Sequence, residues 1–241
     1  MQDILDFILH SKHLVALTGA GMSTESGLPD FRSQGGLWSG KDPFQIATPR
    51  AIGTSEFIDF FRGRIEELAQ YQPNIGHEVL AQLEKKGILK AVLTQNIDGF
   101  HQRAGSQHVV EVHGHLRHLV CSKCQKPYPS DSYTNQLYHC EETECGGDLR
   151  PPVILFEEML DPSSWAVAMD EVEKADTVIV LGTSLQVYPF AGLVEFAYQT
   201  GAKIALINKT ETPLDGLMEV IVYDQIGETL GKIKKEIWSS M

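Results

Sequence analysis

The residues of this chain able to do chemistry fall into two sets: four cysteines crowded into one stretch, and glycine, histidine, asparagine and aspartate set just behind apolar runs. The cysteines are spaced Cys121-x2-Cys124-x15-Cys140-x4-Cys145. Two close pairs about 15–20 residues apart suit tetrahedral thiolate ligation of zinc. The competing use, two disulfides, is disfavoured in a reducing compartment. Four thiolates fill the coordination sphere and leave no place for water, so the zinc expected here is structural and not catalytic. His115 and His118 lie near enough in sequence to replace a thiolate, but four cysteines already suffice.

The second set begins with Gly19-Ala20-Gly21, directly behind Leu14-Val15-Ala16-Leu17-Thr18. A buried strand ending in Gly-x-Gly allows a tight turn and close backbone approach, and free N–H groups at the following helix start attract an anion. Dinucleotide pyrophosphates are held this way at the first crossover of a doubly wound sheet. The next glycine is Gly27, so the strict G-x-G-x-x-G spacing is not met, and a plain strand-turn-helix corner is the alternative.

The elements that must position these residues are legible as apolar runs. Segments 13–18, 90–94, 109–112, 177–181, 203–207 and 219–223 are rich in Val, Ile and Leu with little alternation, as in parallel strands buried on both faces. Helical patterns occupy 75–86 (Val79, Leu80, Leu83, stopped by Gly87), 162–174 and 189–200. A C-terminal amphipathic helix carries Ile226, Leu230, Ile233 and Ile237 on one face. Alternating strand and helix predicts an α/β parallel sheet. Residues 34–75, with a helix-like 55–71, and residues 115–152, with the cysteines, break the rhythm and read as insertions forming a smaller domain.

Composition sets bounds. The chain has 241 residues, 42% hydrophobic and 22% charged, as in an ordinary globular protein. No apolar run approaches the roughly 20 residues that span a bilayer. The start, Met1-Gln2-Asp3-Ile4-Leu5-Asp6, is acidic where a signal peptide is basic, so cytoplasmic residence is expected. A net charge of −12 gives polyanion binding no global support. Neither nucleic acid nor membrane is expected as a partner, whereas a lysine-bearing protein segment suits an acidic surface.

In open α/β sheets ligands bind beyond the carboxyl ends of the strands. Those ends carry Gly19-Ala20-Gly21, Gln95-Asn96-Ile97-Asp98, His113-Gly114, Gly182-Thr183-Ser184 and Asn208, which together suggest a hydrogen-bonding cleft. Each residue has a plainer reading. Asn96 and Asp98 suit helix caps, Gly182-Thr183-Ser184 an ordinary turn, His113 a satisfied core histidine, Phe31 core and Arg32 surface.

The ordered set Gly-Ala-Gly-Met-Ser-Thr-Glu-Ser-Gly-Leu-Pro-Asp-Phe-Arg (19–32), Thr-Gln-Asn-Ile-Asp (94–98), His-Gly (113–114), the four cysteines, Gly-Thr-Ser-Leu (182–185) and Ile-Asn (207–208) resembles the sirtuin family of NAD-dependent protein lysine deacylases, from about residue 13 to about 225. The resemblance implies a Rossmann-like parallel sheet with helices on both faces, plus a small zinc-binding domain and a helical insert. The large domain would comprise 1–33, 76–114 and 153–241; the small domain would comprise the insert 34–75 and the zinc module 115–152. It implies NAD as co-substrate, structural Zn2+ on Cys121, Cys124, Cys140 and Cys145, and acylated protein lysines as partners. The acyl oxygen would attack C1′ of the nicotinamide ribose and expel nicotinamide, and His113 would be general base for a ribose hydroxyl. The products would be free lysine, nicotinamide and the 2′-O-acyl-ADP-ribose ester. Asn96 and Asp98 join His113 as catalytic residues. The implied cofactor contacts are Gly19, Ala20, Gly21, Ser23, Asp30, Phe31, Arg32, Gln95, Asn96, Asp98, Gly182, Thr183, Ser184, Asn208 and Ile226. Ile154, Phe156, Glu157 and Val187 would meet the substrate.

Two departures from the family pattern bear on substrate. Phe156-Glu157-Glu158 stands where Phe-Gly-Glu is usual, so a side chain enters the peptide channel, where it would tilt the peptide or favour basic neighbours of the acyl-lysine. Phe61-x-x-Arg64 stands where members preferring succinyl or malonyl lysine carry Tyr-x-x-Arg, so acetyl or another neutral acyl group is expected. Protein ADP-ribosylation, removal of longer or acidic acyl groups, and NAD-responsive binding without catalysis are the competing functions.

Overall fold

A computed structural model describes residues 2–30, 36–40 and 42–239; Phe31 and Arg32 lie outside the described residues. In chain order the elements are α1 (Gln2–His10), β1 (Leu14–Thr18), a 3-10 helix (Ala20–Ser26), α2 (Pro43–Ile46), α3 (Ser55–Gln70), α4 (Ile75–Lys85), β2 (Leu89–Thr94), α5 (Phe100–Arg103), β3 (Val109–Glu111), β4 (His118–Cys121), β5 (Pro127–Pro129), β6 (Leu149–Arg150), α6 (Pro162–Lys174), β7 (Thr177–Leu181), α7 (Gly192–Gln199), β8 (Lys203–Asn208), β9 (Val220–Tyr223) and α8 (Ile226–Ser239).

The six-stranded sheet has the order β3-β2-β1-β7-β8-β9 with every pairing parallel. The order reverses between β1 and β7, and in such sheets the crevice that takes a ligand lies beyond the carboxyl ends at this switch point. All five residues of β1 and of β7 are buried, as their unbroken apolar sequences require. Successive side chains serve opposite faces. Val15 and Leu17 pack with α6 and α7, while Leu14 and Ala16 pack with α1, α4 and α8. The apolar runs thus predict all six strands. Helix α1, absent from the sequence reading, buries Ile4, Leu5 and Ile8 on the second face. Helix α7 starts at Gly192 and not at 189.

A smaller antiparallel sheet, β5-β4-β6, carries Cys121 at the end of β4 and the other three cysteines in the segments between its strands. A third apolar cluster joins Phe57 and Phe61 of α3 to Leu119, Tyr128, Tyr133 and Leu149, and extends to Leu28 and Phe100 beside the large sheet. Burying one such phenylalanine contributes about 1.5–3 kcal/mol, so this cluster fixes the helical insert to the cysteine module. The helices start at identifiable caps. Thr54 caps α3, Asp161 caps α6 ahead of Pro162, and Asn74 forms a capping box with His77 on α4.

Candidate active site and metal centre

The crevice is built first from glycines. The N–H of Gly19 donates to Leu181 O (3.0 Å), that of Gly21 to Gly182 O (2.8 Å), and that of Gly182 to Ile207 O (3.1 Å). A Cβ on Gly182, whose φ is +61°, would lie 2.3 Å from Met22 N, and one on Gly21 would lie 2.8 Å from Gly182 Cα. A Cβ on Gly19 would meet Gln95 Nε2 at 2.4 Å. These glycines let three strand ends touch, a packing need that sequence spacing did not reveal. Ala20 remains half-buried at the rim.

Polar side chains are tied together on this frame. Asn96, 4% exposed, donates from Nδ2 to Gly19 O (2.9 Å) and Ser23 Oγ (3.3 Å). Ser23 Oγ donates to Asp98 Oδ2 (2.7 Å), and Phe100 N–H donates to Asp98 Oδ1 (2.9 Å). Burial raises the Asp98 carboxyl above its ordinary range, and the two donors work against that. Gln95 Nε2 donates to Thr183 Oγ1 (2.9 Å). Gly99, not Asp98, is the N-cap of α5, so one Asp98 oxygen receives the first helical N–H from just outside the helix while the other serves the cluster.

His113 Nδ1 lies 3.1 Å from Gln95 O. A carbonyl only accepts, so the proton sits on Nδ1 and Nε2 keeps a bare lone pair. Burial lowers the His113 pKa, opposed by that hydrogen bond, so the ring is neutral at pH 7 and able to take a proton. The backbone beside it is fixed from the other side. Ile154 N–H donates to His113 O (3.0 Å), and Gly114 bridges Val153. Gly114 has φ +77°, and a Cβ there would lie 1.9 Å from Pro152 O.

Next to His113 runs the 154–158 loop. Phe156 N–H donates to Ala47 O (2.9 Å), and its ring lies 4.8 Å from Phe44 and 6.1 Å from Trp38. Glu157 has φ +72°, a conformation that favours glycine, and its carboxylate accepts from Arg50 at 2.6 Å. Glu158 chelates Arg150 (2.6 and 3.0 Å) and accepts Leu155 N–H (2.8 Å). Val187 is half-buried in the loop after β7. Ser184 and Asp30 are half-buried too, and Asp30 O accepts Leu37 N–H (2.9 Å). Asn208 Nδ2 is directed to Thr210 O (2.7 Å), and buried Ile226 opens α8 within reach of Gly182. Sequence reasoning missed Thr18, Thr94, His77, His101 and Arg50; of these only His77 carried a signal, at N3 behind a capping asparagine.

The cysteines form a separate centre. All four are unbridged and their Sγ atoms lie within 4.8 Å of one another, with Cys121–Cys145 and Cys124–Cys140 both at 3.6 Å. A tetrahedral zinc with Zn–S of about 2.3 Å has S···S edges of about 3.8 Å, so this set fits zinc. Cys121 Sγ accepts N–H bonds from Lys123 (3.4 Å) and Cys124 (3.5 Å), while Cys140 Sγ accepts from Tyr128 Oη (3.2 Å). His115 and His118 pair with each other and are not part of the cluster.

Comparison with known proteins agrees with this geometry. Residues 19–189 match the Sir2 family. An NAD-dependent protein deacetylase of Oceanobacillus iheyensis is 45% identical over 237 residues, covering 97% of this chain and 99% of the relative. An NAD-dependent protein deacylase of Archaeoglobus fulgidus is 40% identical over 240 residues, covering 98% and 97%. Among solved structures, a complex of a Sir2 homolog with NAD superposes with a TM-score of 0.91 at 38% identity, covering all of this chain and 94% of the other. A Sir2 variant holding a deacetylated p53 peptide and 3′-O-acetyl-ADP-ribose superposes with a TM-score of 0.89 at 34% identity, covering 98% of each.

Proposed function

The chain belongs to the Sir2 family, and from that membership we propose that it is an NAD-dependent protein lysine deacetylase, moving the acetyl group from lysine to ADP-ribose with release of nicotinamide. The observation that carries the reading is the His113 imidazole behind β3, with its proton held on Nδ1 by Gln95 O and Nε2 left bare. NAD supplies the ADP-ribose acceptor and the nicotinamide leaving group. The chain's residues bind, orient and move protons around them. His113 Nε2 takes the proton of a ribose hydroxyl. Asn96, Asp98 and Ser23, already locked together, present fixed polar atoms to the nicotinamide ribose and amide. Gly19, Ala20, Gly21 and Gln95, with Gly182, Thr183 and Ser184, hold the pyrophosphate side, Asn208 and Ile226 hold the adenosine, and Asp30, Phe31 and Arg32 complete the set. Ile154, Phe156, Glu157 and Val187 receive the acetyl-lysine segment of a protein substrate.

The acyl group in this reading is neutral. Phe61 is 3% exposed and has no hydroxyl to offer, and Arg64 is paired with Glu67 on the same helix, so neither is free to meet an acidic acyl chain. The chain divides as 1–33, 76–114 and 153–241 for the NAD-binding domain, with 34–75 and 115–152 in the small domain, where Cys121, Cys124, Cys140 and Cys145 hold structural zinc. No helix among the described residues is long and apolar enough to cross a membrane. A cytoplasmic location is part of this reading, because thiolates that hold zinc have to stay reduced. The test is release of nicotinamide from NAD with and without an acetyl-lysine peptide. Release only with the peptide is expected; release equal in both, or label transferred to protein, contradicts deacetylation.

A further inference from the structure

Two histidines behind the crevice have no part in the chemistry above. His77 and His101 are 0% and 1% exposed, with ring centroids 4.8 Å apart and planes inclined by 59°. Their partners fix their tautomers. The backbone N–H of Asn74 donates to His77 Nδ1 (3.2 Å), so the His77 proton is on Nε2. Thr18 Oγ1 donates to Thr94 Oγ1 (2.8 Å) and therefore accepts from His101 Nε2 (2.9 Å), which leaves His101 Nδ1 bare. Among the described residues, His77 Nε2 and His101 Nδ1 have no hydrogen-bond partner. The two rings meet in a tilted contact and not through a hydrogen bond.

Beyond His101 the bonds run outward to the crevice. Thr18 and Thr94 are register partners at the carboxyl ends of β1 and β2. Thr94 Oγ1 accepts the backbone N–H of Asn96 (3.0 Å), and Thr18 O accepts that of Gln95 (3.1 Å). On the other side, Asn74 Nδ2 donates to Met22 O (2.8 Å) and Ser26 Oγ (3.2 Å), so the cap of α4 grips the 3-10 helix that follows the glycines.

We propose that His101 is a positioning residue for Asn96, acting through the Thr18 and Thr94 hydroxyls. The inference rests on the reading of Asn96 as a contact of the nicotinamide ribose and amide. Without the His101 donor, the buried Thr18 oxygen loses the bond that fixes its side chain. The Thr94 oxygen that receives Asn96 N–H then loses its anchor. Burial keeps both imidazoles neutral, with His101 down to about 3 and His77 well below its ordinary value, so the tautomers persist through the physiological range.

Steady-state kinetics and nicotinamide exchange on the full-length protein test this. His101→Leu should raise the NAD KM and slow exchange by about tenfold or more, with the acetyl-peptide KM nearly unchanged. His101→Gln, which places an N–H donor where Nε2 stands, should recover most of the loss. Should His101→Leu fail to fold, Thr18→Val, which keeps shape but removes the hydroxyl, should show the same split, with Thr18→Ser restoring function. A wild-type NAD KM in folded His101→Leu or Thr18→Val overturns the proposal. So does a failure of both conservative variants, His101→Gln and Thr18→Ser, to recover function. A wild-type protein that releases no nicotinamide at all would instead overturn the deacetylase reading.

Discussion

At the residue scale, neighbours set the state of a few side chains. His113 must be unprotonated to accept a proton, and burial holds its pKa below the ordinary histidine value. The rate should therefore be flat at neutral pH and fall only as pH drops through that lowered pKa. A pH profile of kcat/KM for NAD checks it, and a fall beginning above pH 7 contradicts it. Glu157 gives a second prediction. Replacing it by glycine relieves a positive φ, worth about 1 kcal/mol, and removes an exposed pair with Arg50 worth at most about 1 kcal/mol. Glu157→Gly should leave stability within about 1 kcal/mol of wild type while changing the peptide KM more than nicotinamide exchange. Equal effects on both kinetic quantities would remove Glu157 from the peptide channel. The glutamate was readable as a departure from the family pattern, but its ion pair was not. Arg50 lies more than one hundred residues away in sequence, and only folding brings it to the 154–158 loop.

At the element scale, long apolar runs were the readable part. β1, β7 and β8 are buried on both faces, and their unbroken apolar sequences say so directly. Strands β4, β5 and β6 have four, three and two residues, too few for any periodicity, and take their place from the cysteine turns and the cluster around Tyr133 and Leu149. The four-cysteine cluster that fits zinc was legible from its spacing. Zinc binding to cysteine clusters in small peptides is worth on the order of 10 kcal/mol, so chelation should lower the melting temperature and expose the small domain to protease before the parallel sheet. Unchanged melting and proteolysis after the metal is stripped would refute a structural zinc. The glycines were legible as special positions but not for the right partner. Gly182→Ala drives a methyl to 2.3 Å from Met22 N and should abolish NAD binding through displacement of the glycine turn, read by calorimetry.

At the scale of the whole molecule, a doubly wound sheet reverses its order between β1 and β7, and the bonded cluster sits where that reversal opens the fold. The strand ends could be listed from sequence, but the order of the strands in the sheet came only from the structure. The buried bonds that join them could not, because Thr18, Thr94, His77 and His101 come from separate elements with no shared spacing. Those histidines also make the molecule sensitive to acid. Both have folded pKa values below the unfolded value near 6.5. Their contribution is intact above pH 6.5, and below it the unfolded chain takes up protons that the folded chain refuses. Stability should fall by about 1.4 kcal/mol per pH unit for each buried histidine. Denaturant unfolding at pH 7, 6 and 5 checks this, with a shallower slope expected for His101→Gln.

In the proposed reaction His113, with Nε2 bare, is the base that completes acetyl transfer from lysine to ADP-ribose. Mass spectrometry of the small products from NAD and an acetyl-lysine peptide tests it most directly. The wild-type protein should yield O-acetyl-ADP-ribose and nicotinamide in equal amounts, and folded His113→Ala should lose the ester by a factor of about 100 or more. An undiminished yield of ester from His113→Ala, or free acetate and ADP-ribose as the first products of the wild type, would contradict the account.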